Sequence, residues 1–319
     1  MIIPNFLVGG PPKCASTSLY FYLKQHPEIF MSPVKQTRFF SENYNKGTDF
    51  YVKTYFSDIR NEKMAGEATP GYFLFPFVAE RICNFNPRMK FIFCLRNPVE
   101  RAFSGWNMRV SNGTEKLSFQ DAIKENLKQR ETEKFLSEPT TKEWEETKDH
   151  HKVDHTGYRV YIEGSLYAFN LKYYYKYFDP SQVKIIFLDS LKKDFHGTMK
   201  SIFSFLGVDE NFIVQNTEQQ NTSKTGKVKS LGPVLRKVKK LSRSFSGLLP
   251  KSMKKKMLDS MFTKSSAEGS KAKLTPEDRE YAYQVFKDDI AELEQLLKID
   301  LDHWKYEKVG LDHDVPVMS

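Results

Sequence analysis

The turn after the first apolar run constrains this chain more than any other feature. Ile2–Val8 reads as a short buried strand that breaks at Gly9-Gly10-Pro11-Pro12-Lys13-Cys14-Ala15-Ser16-Thr17-Ser18-Leu19. A helical pattern follows from Thr17, with Leu19, Tyr22 and Leu23 on one face, and it ends near His26-Pro27. A strand, a tight turn and a helix N-terminus gather free backbone N–H groups around one point. With the helix dipole, that geometry binds phosphate. Ser16, Thr17 and Ser18 add hydroxyl donors and Lys13 a mobile charge. The plain structural alternative is a glycine turn with an N-capping hydroxyl. A Walker A loop, GxxxxGK[ST], sets its lysine immediately before the helix-opening hydroxyl. Here Lys13 stands three residues before Ser16, and no Asp placed to hold Mg²⁺ closes a following strand. The loop is of a different kind.

Two more strands are expected at Lys90–Leu95 (KFIFCL) and Val183–Leu188 (VKIIFL). Helices are expected from Val99, carrying Arg101, Ser104 and Trp106, and around Thr198–Leu206. An aromatic amphipathic helix with Leu166, Phe169, Tyr173 and Tyr177 precedes the last strand. Continuous apolar strands alternating with helices predict an α/β fold, with a parallel sheet covered on both faces. With 39% hydrophobic residues, 26 Phe and 16 Tyr, the chain has ample material for a core, so wholesale disorder is excluded. Its net charge of +9 is local. Residues 224–273 carry 15 basic and 2 acidic side chains, which leaves 34 basic against 38 acidic elsewhere. The main body is therefore not a basic nucleic-acid binder. Cys14, Cys83 and Cys94 make neither a disulfide framework nor a zinc knuckle, and no run of 18 apolar residues exists. No signal peptide is read at the N-terminus, so a cytoplasmic setting is expected.

The organisation expected is one domain over 1–319. It carries a polar helical insertion or lid at 114–156, a basic, partly flexible segment at 224–273 and a C-terminal helix at 275–298. Thr275 as N-cap, Pro276 at N1 and Asp278 at N3 start that helix. Ala282, Phe286, Ile290, Leu293 and Leu297 form its apolar face. The basic run is a candidate contact for an anionic surface, although most charge runs are simply solvated.

The second chemical motif is Leu95-Arg96-Asn97-Pro98-Val99-Glu100-Arg101-Ala102-Phe103-Ser104-Gly105-Trp106. Arg96 ends a strand and Ser104 lies about two turns into the next helix, so both reach one anion beside the first loop. A guanidinium and a hydroxyl suit a phosphate monoester, and the competing reading is an arginine paired with a neighbouring carboxylate. Two such sites at the carboxyl ends of neighbouring parallel strands lie where ligands bind in these folds.

This pair of motifs resembles the 5′-phosphosulfate and 3′-phosphate motifs of sulfotransferases that use 3′-phosphoadenosine 5′-phosphosulfate (PAPS). His26-Pro27, Arg38-Phe39-Phe40, Asn45–Tyr51, Glu67–Phe73, Gly164-Ser165-Leu166-Tyr167, Lys184–Leu188 and Phe205-Leu206-Gly207 echo the heparan-sulfate-type branch, over roughly residues 5–210. The resemblance implies a P-loop-NTPase-like three-layer α/β/α fold and metal-independent, in-line sulfuryl transfer to a hydroxyl or amine. It implies Lys13 at the leaving phosphate, with Pro12, Cys14, Ala15, Ser16, Thr17 and Ser18 around the 5′-phosphate. Arg96 and Ser104 would hold the 3′-phosphate. Lys224, Gly226 and Lys227 fall where relatives close a loop over the nucleotide, although a basic surface loop is the simpler reading. The implied acceptor is a small molecule or a saccharide.

One position departs from the pattern. Where that branch places a catalytic Glu, three residues before the Phe pair, this chain has Gln36, which cannot act as a base at neutral pH. Glu67, ahead of Glu42 and His155, is the substitute candidate, against a plain capping role. Ala68 stands where relatives have Lys, which implies a differently charged acceptor pocket. Two other readings stand beside transfer: a catalytically impaired PAPS-fold binding protein, supported by Gln36, and a nucleotide or small-molecule kinase, disfavoured by the position of Lys13.

Overall fold

The computed structural model describes residues 3–132, 159–217 and 272–305. His155, Lys224, Gly226, Lys227 and most of the basic segment lie outside them. Five strands form one sheet: β1 (Phe6–Gly9), β2 (Ile29–Met31), β3 (Met64–Ala68), β4 (Lys90–Leu95) and β5 (Val183–Phe187). All pairs are parallel, in the order β2-β3-β1-β4-β5. Register places Val8 opposite both Ala68 and Ile92.

The helices are α1 (Ser16–Leu23), α2 (Thr48–Tyr55), α3 (Pro76–Phe85), α4 (Pro98–Ser111), α5 (Phe119–Thr132), α6 (Tyr167–Tyr175), α7 (Leu188–Lys193), α8 (Phe195–Leu206) and α9 (Pro276–Leu297). They cover both faces of the sheet, which explains why β4 is apolar from Phe91 to Leu95. Leu7, Phe91, Phe93 and Leu95 pack on one side with residues of α2–α6 and α9. Phe6, Val8, Ile92 and Cys94 pack on the other with α1, α7 and α8. Alternating side chains of one strand thus enter two cores.

By packing, the chain divides into two units. The larger comprises 1–106, 117–221 and 274–319 and holds the whole sheet. The smaller takes in 107–116, the end of α4 and a turn in which Gly113 has φ 69°.

Two strands were not expected. β2 is three residues long, and β3, Met-Ala-Gly-Glu-Ala, lacks any β-branched residue. At Gly66 an added methyl would overlap the carbonyl of Phe6, so a residue that weakens a strand by propensity lets β3 lie against β1. The aromatic helix α6 also turns a different face inward. Tyr167, Leu171 and Tyr174 are buried, while Leu166, Phe169 and Tyr173 are half-buried and Tyr177 is exposed.

The C-terminal helix starts where its residues require: Thr275 Oγ1 accepts the Asp278 N–H at 3.1 Å. Ala282, Phe286, Ile290 and Leu293 are buried, and Leu297 is half-buried. α5 is the described first part of the polar stretch after residue 114, and it buries Phe119, Ala122, Ile123 and Asn126 on one side. Among the described residues, no helix is long and apolar enough to cross a membrane.

Candidate active site

The chain builds β1, β2 and β3 toward one edge and then crosses to place β4 on the other side of β1. The carboxyl ends of β1 and β4 therefore flank the topological switch point, where parallel α/β sheets bind ligands.

From β1 runs the phosphate loop. Gly10, Lys13 and Ala15 have φ of 85°, 80° and 59°. Two non-glycine residues in the left-handed region cost roughly 1–2 kcal/mol each, and they persist only where neighbours over-determine the backbone. Ala15 is the N-cap of α1, and among the described residues no side chain caps that terminus. The first N–H groups of the helix are thus left for another acceptor. Ser16 and Ser18 are buried and Thr17 is half-buried in this first turn. Lys13 is half-buried. Cys14 turns inward to the core, and burial pushes its thiol up to about 11, so only its backbone faces the loop.

Arg96 follows directly on β4. Its Nε and Nη2 donate to Glu100 Oε2 at 3.0 and 2.8 Å, and Arg279 approaches the other carboxylate oxygen at 3.7 Å. The neighbouring carboxylate weighed as a competing partner is therefore present, and it orients the guanidinium at the rim. Asn97 caps α4: its Oδ1 accepts the Val99 and Glu100 N–H groups, and its Nδ2 donates to the Trp304 carbonyl. Ser104 is half-buried two turns along α4.

On the other flank, the chain leaving β2 stays beside β3. Ser32 N–H bonds the Gly66 carbonyl and Gln36 N–H the Ala68 carbonyl, at 2.8 and 3.0 Å. Gln36 is exposed with φ 62°, and Arg38, with φ 51°, pairs Glu42 at 3.1 Å. Below them Glu67 is 0% exposed. Its carboxylate accepts from Thr37 N–H and Oγ1, Thr69 Oγ1, Tyr72 OH and Tyr51 OH, at 2.6–3.2 Å. Burial raises its pKa, and those donors pull it back.

The phosphate loop leaves β1 and Arg96 leaves β4 at the same carboxyl end of the sheet, with Ser104 two turns along α4 and Gln36 and Glu67 at the neighbouring strand end. Motif reading passed over Arg101, which is 3% exposed and donates to the Pro12 carbonyl at 3.1 Å. Its signal was a charge on the apolar face of a helix, in phase with Pro98, Ala102 and Gly105, which are buried as it is.

The sulfotransferase domain family model matches residues 4–297. The chain belongs to that family. This sulfotransferase is 26% identical to a sulfotransferase from Alicyclobacillus acidocaldarius, whose crystal structure superposes with a TM-score of 0.64 over 96% of this chain and 100% of that one. The neighbour shares the P-loop-like three-layer α/β/α architecture. Among curated proteins, the membrane-associated sulfotransferase kil1 of Dictyostelium discoideum is 35% identical over 112 residues, covering 34% of this chain and 24% of that protein. The mouse bifunctional heparan sulfate N-deacetylase/N-sulfotransferase 4 is 28% identical over 222 residues, 66% of this chain and 23% of that protein. The chain thus spans about a quarter of the length of these two relatives.

Proposed function

We propose that the donor is PAPS and that the acceptor is a hydroxyl or amine of a small molecule or saccharide. One observation carries this reading: two anion sites, an uncapped helix N-terminus and an Arg/Ser pair, flank the switch point between β1 and β4. A donor with phosphates at both its 5′ and 3′ ends fits them, and it supplies the activated sulfuryl group. The backbone from Pro12 to Ala15 and the hydroxyls of Ser16, Thr17 and Ser18 hold the 5′ side. Lys13 neutralises charge on the leaving oxygen, an effect on the order of 10²–10³ in rate. Arg96, oriented by Glu100, and Ser104 hold the 3′-phosphate.

Glu67 supports the acceptor side without taking a proton, because its oxygens are saturated and closed from solvent. Gln36 orients the acceptor through an amide that both donates and accepts. Lys35 is half-buried, has no hydrogen bond or ion pair to another described residue, and has its pKa lowered by burial. It suits an acidic group on the acceptor.

The test is thermal unfolding with 3′-phosphoadenosine 5′-phosphate (PAP), against ADP with Mg²⁺ and 5′-AMP. A ligand at a hundred times its Kd stabilises the fold by about 2.7 kcal/mol. The expected shift comes with the bisphosphate alone. A shift with ADP and Mg²⁺ instead would make the chain a kinase.

A further inference from the structure

The two anion sites are joined by one buried device. Arg101 Nε donates to the Pro12 carbonyl in the phosphate loop, and its Nη1 donates to the carbonyls of Val160 and Tyr161 at 3.1 and 3.0 Å. The guanidinium lies against Gly164, where an added methyl would overlap its carbon and both terminal nitrogens. Glycine is the one residue that admits it. The segment 160–167 is itself clamped. Asn126, 0% exposed on α5, accepts the N–H groups of Tyr161 and Ile162 and donates to Glu163, which Arg130 pairs at 3.0 Å. The same segment reaches the second site, where Ser165 Oγ donates to the Pro98 carbonyl and Tyr167 OH to the Arg96 carbonyl, at 3.1 and 2.8 Å.

A strained loop needs neighbours that over-determine it. Arg101 supplies one at the residue before Lys13, and it sits on the helix that opens from Arg96. We propose that Arg101 is a positioning residue: with the strap 160–167 it holds the phosphate loop at a set distance from Arg96 and Ser104. The two phosphate sites then act as one rigid receptor. A planar guanidinium with several donors can join three carbonyls, whereas the ammonium of lysine cannot hold them in one plane. This inference rests on the assignment of the two sites to a bisphosphate donor.

The experiment compares Arg101→Gln, Arg101→Lys and Gly164→Ala with Asn86→Ala. Gly164→Ala keeps the charge and displaces the guanidinium. Asn86, whose Nδ2 bonds the Pro4 carbonyl, lies at the opposite, amino end of the sheet and serves as a stability control. Two readouts are taken on the full chain: calorimetric affinities for PAP and 5′-AMP, and amide hydrogen exchange of residues 10–15 without nucleotide. In all three site variants PAP affinity is expected to fall roughly 10- to 100-fold, the scale of a lost hydrogen bond to a charged group. The preference for PAP over 5′-AMP should shrink and the loop amides should exchange faster, with no rescue by Lys. Asn86→Ala should lower the melting temperature and leave both readouts unchanged. If Arg101→Gln only lowers the melting temperature, or if Arg101→Lys restores binding, the positioning role is overturned. If the wild type binds no PAP, the donor assignment falls, and loop exchange still decides the role of Arg101.

Discussion

The two flanks of the site use polar groups in opposite ways. Around the phosphate loop, the helix end carries no side-chain cap from Ala15, on a backbone held in left-handed turns. Around Glu67, the buried polar groups are turned on one another: one carboxylate takes five hydrogen bonds from Thr37, Thr69, Tyr51 and Tyr72. Unspent donors in a strained frame are a receptor, because desolvating them is repaid only by a ligand. Donors spent on one buried carboxylate are a scaffold, because each is already satisfied.

Lys13→Ala tests the receptor most severely. The transfer rate should fall on the order of 10²–10³ while PAP affinity changes far less. Equal losses in single-turnover rate and calorimetric affinity would remove the leaving-group role. Glu67→Gln tests the scaffold. Folding stability should drop by roughly 2–3 kcal/mol, since hydroxyl and N–H donors lose a charged acceptor. Turnover per folded molecule should stay within about an order of magnitude, as expected where no proton transfer is lost. A steep loss of turnover at an unchanged melting temperature would instead make Glu67 the base.

Asp289 is a second spent carboxylate, accepting the Ala168 and Phe169 N–H groups at the start of α6. Burial pushes its pKa up to about 6. A carboxyl raised on folding binds more protons in the native state, so its contribution is full below about pH 4 and is lost as pH rises through about 6. The shift allows a loss of up to about 3 kcal/mol across that window. Denaturant titrations from pH 4 to 7 should show this slope in the wild type and a flatter one in Asp289→Asn. Identical slopes would show that the group does not titrate in that range. The smallest effect belongs to Ser104→Ala, which should weaken PAP by roughly tenfold, one hydrogen bond to a charged group, and leave 5′-AMP binding nearly unchanged. Equal weakening of both would move Ser104 away from the 3′-phosphate.

Legibility in the sequence followed the local chemistry of each element. β4 was plain because Phe91 to Leu95 enter two cores, so its apolar run has no gaps. β3 was not, because after Met64 its residues are small or charged and no β-branched side chain marks it. The wrong face of α6 has a similar cause. Aromatics recur at helical spacing on both sides of it, and contact of Tyr174 with Phe91 and Phe93 settles which side is buried. The phosphate loop was visible because its glycines, lysine and hydroxyls are consecutive. The saturation of Glu67 was not, because its donors come from positions 37, 51, 69 and 72.

By itself, the sequence determined the family, the alternation of strands and helices, and the two anion motifs, all of which depend on residues adjacent in the chain. The tertiary structure decided what those motifs are joined to. Arg101 became the link between the two sites only when residues 12 and 160–164 were folded around it. Glu67 changed from a candidate base to a proposed support when burial closed it from solvent and four side chains took its oxygens. The reason is physical: short-range order fixes which groups a segment offers, but only packing across the chain decides which of them are spent and which are left for a ligand.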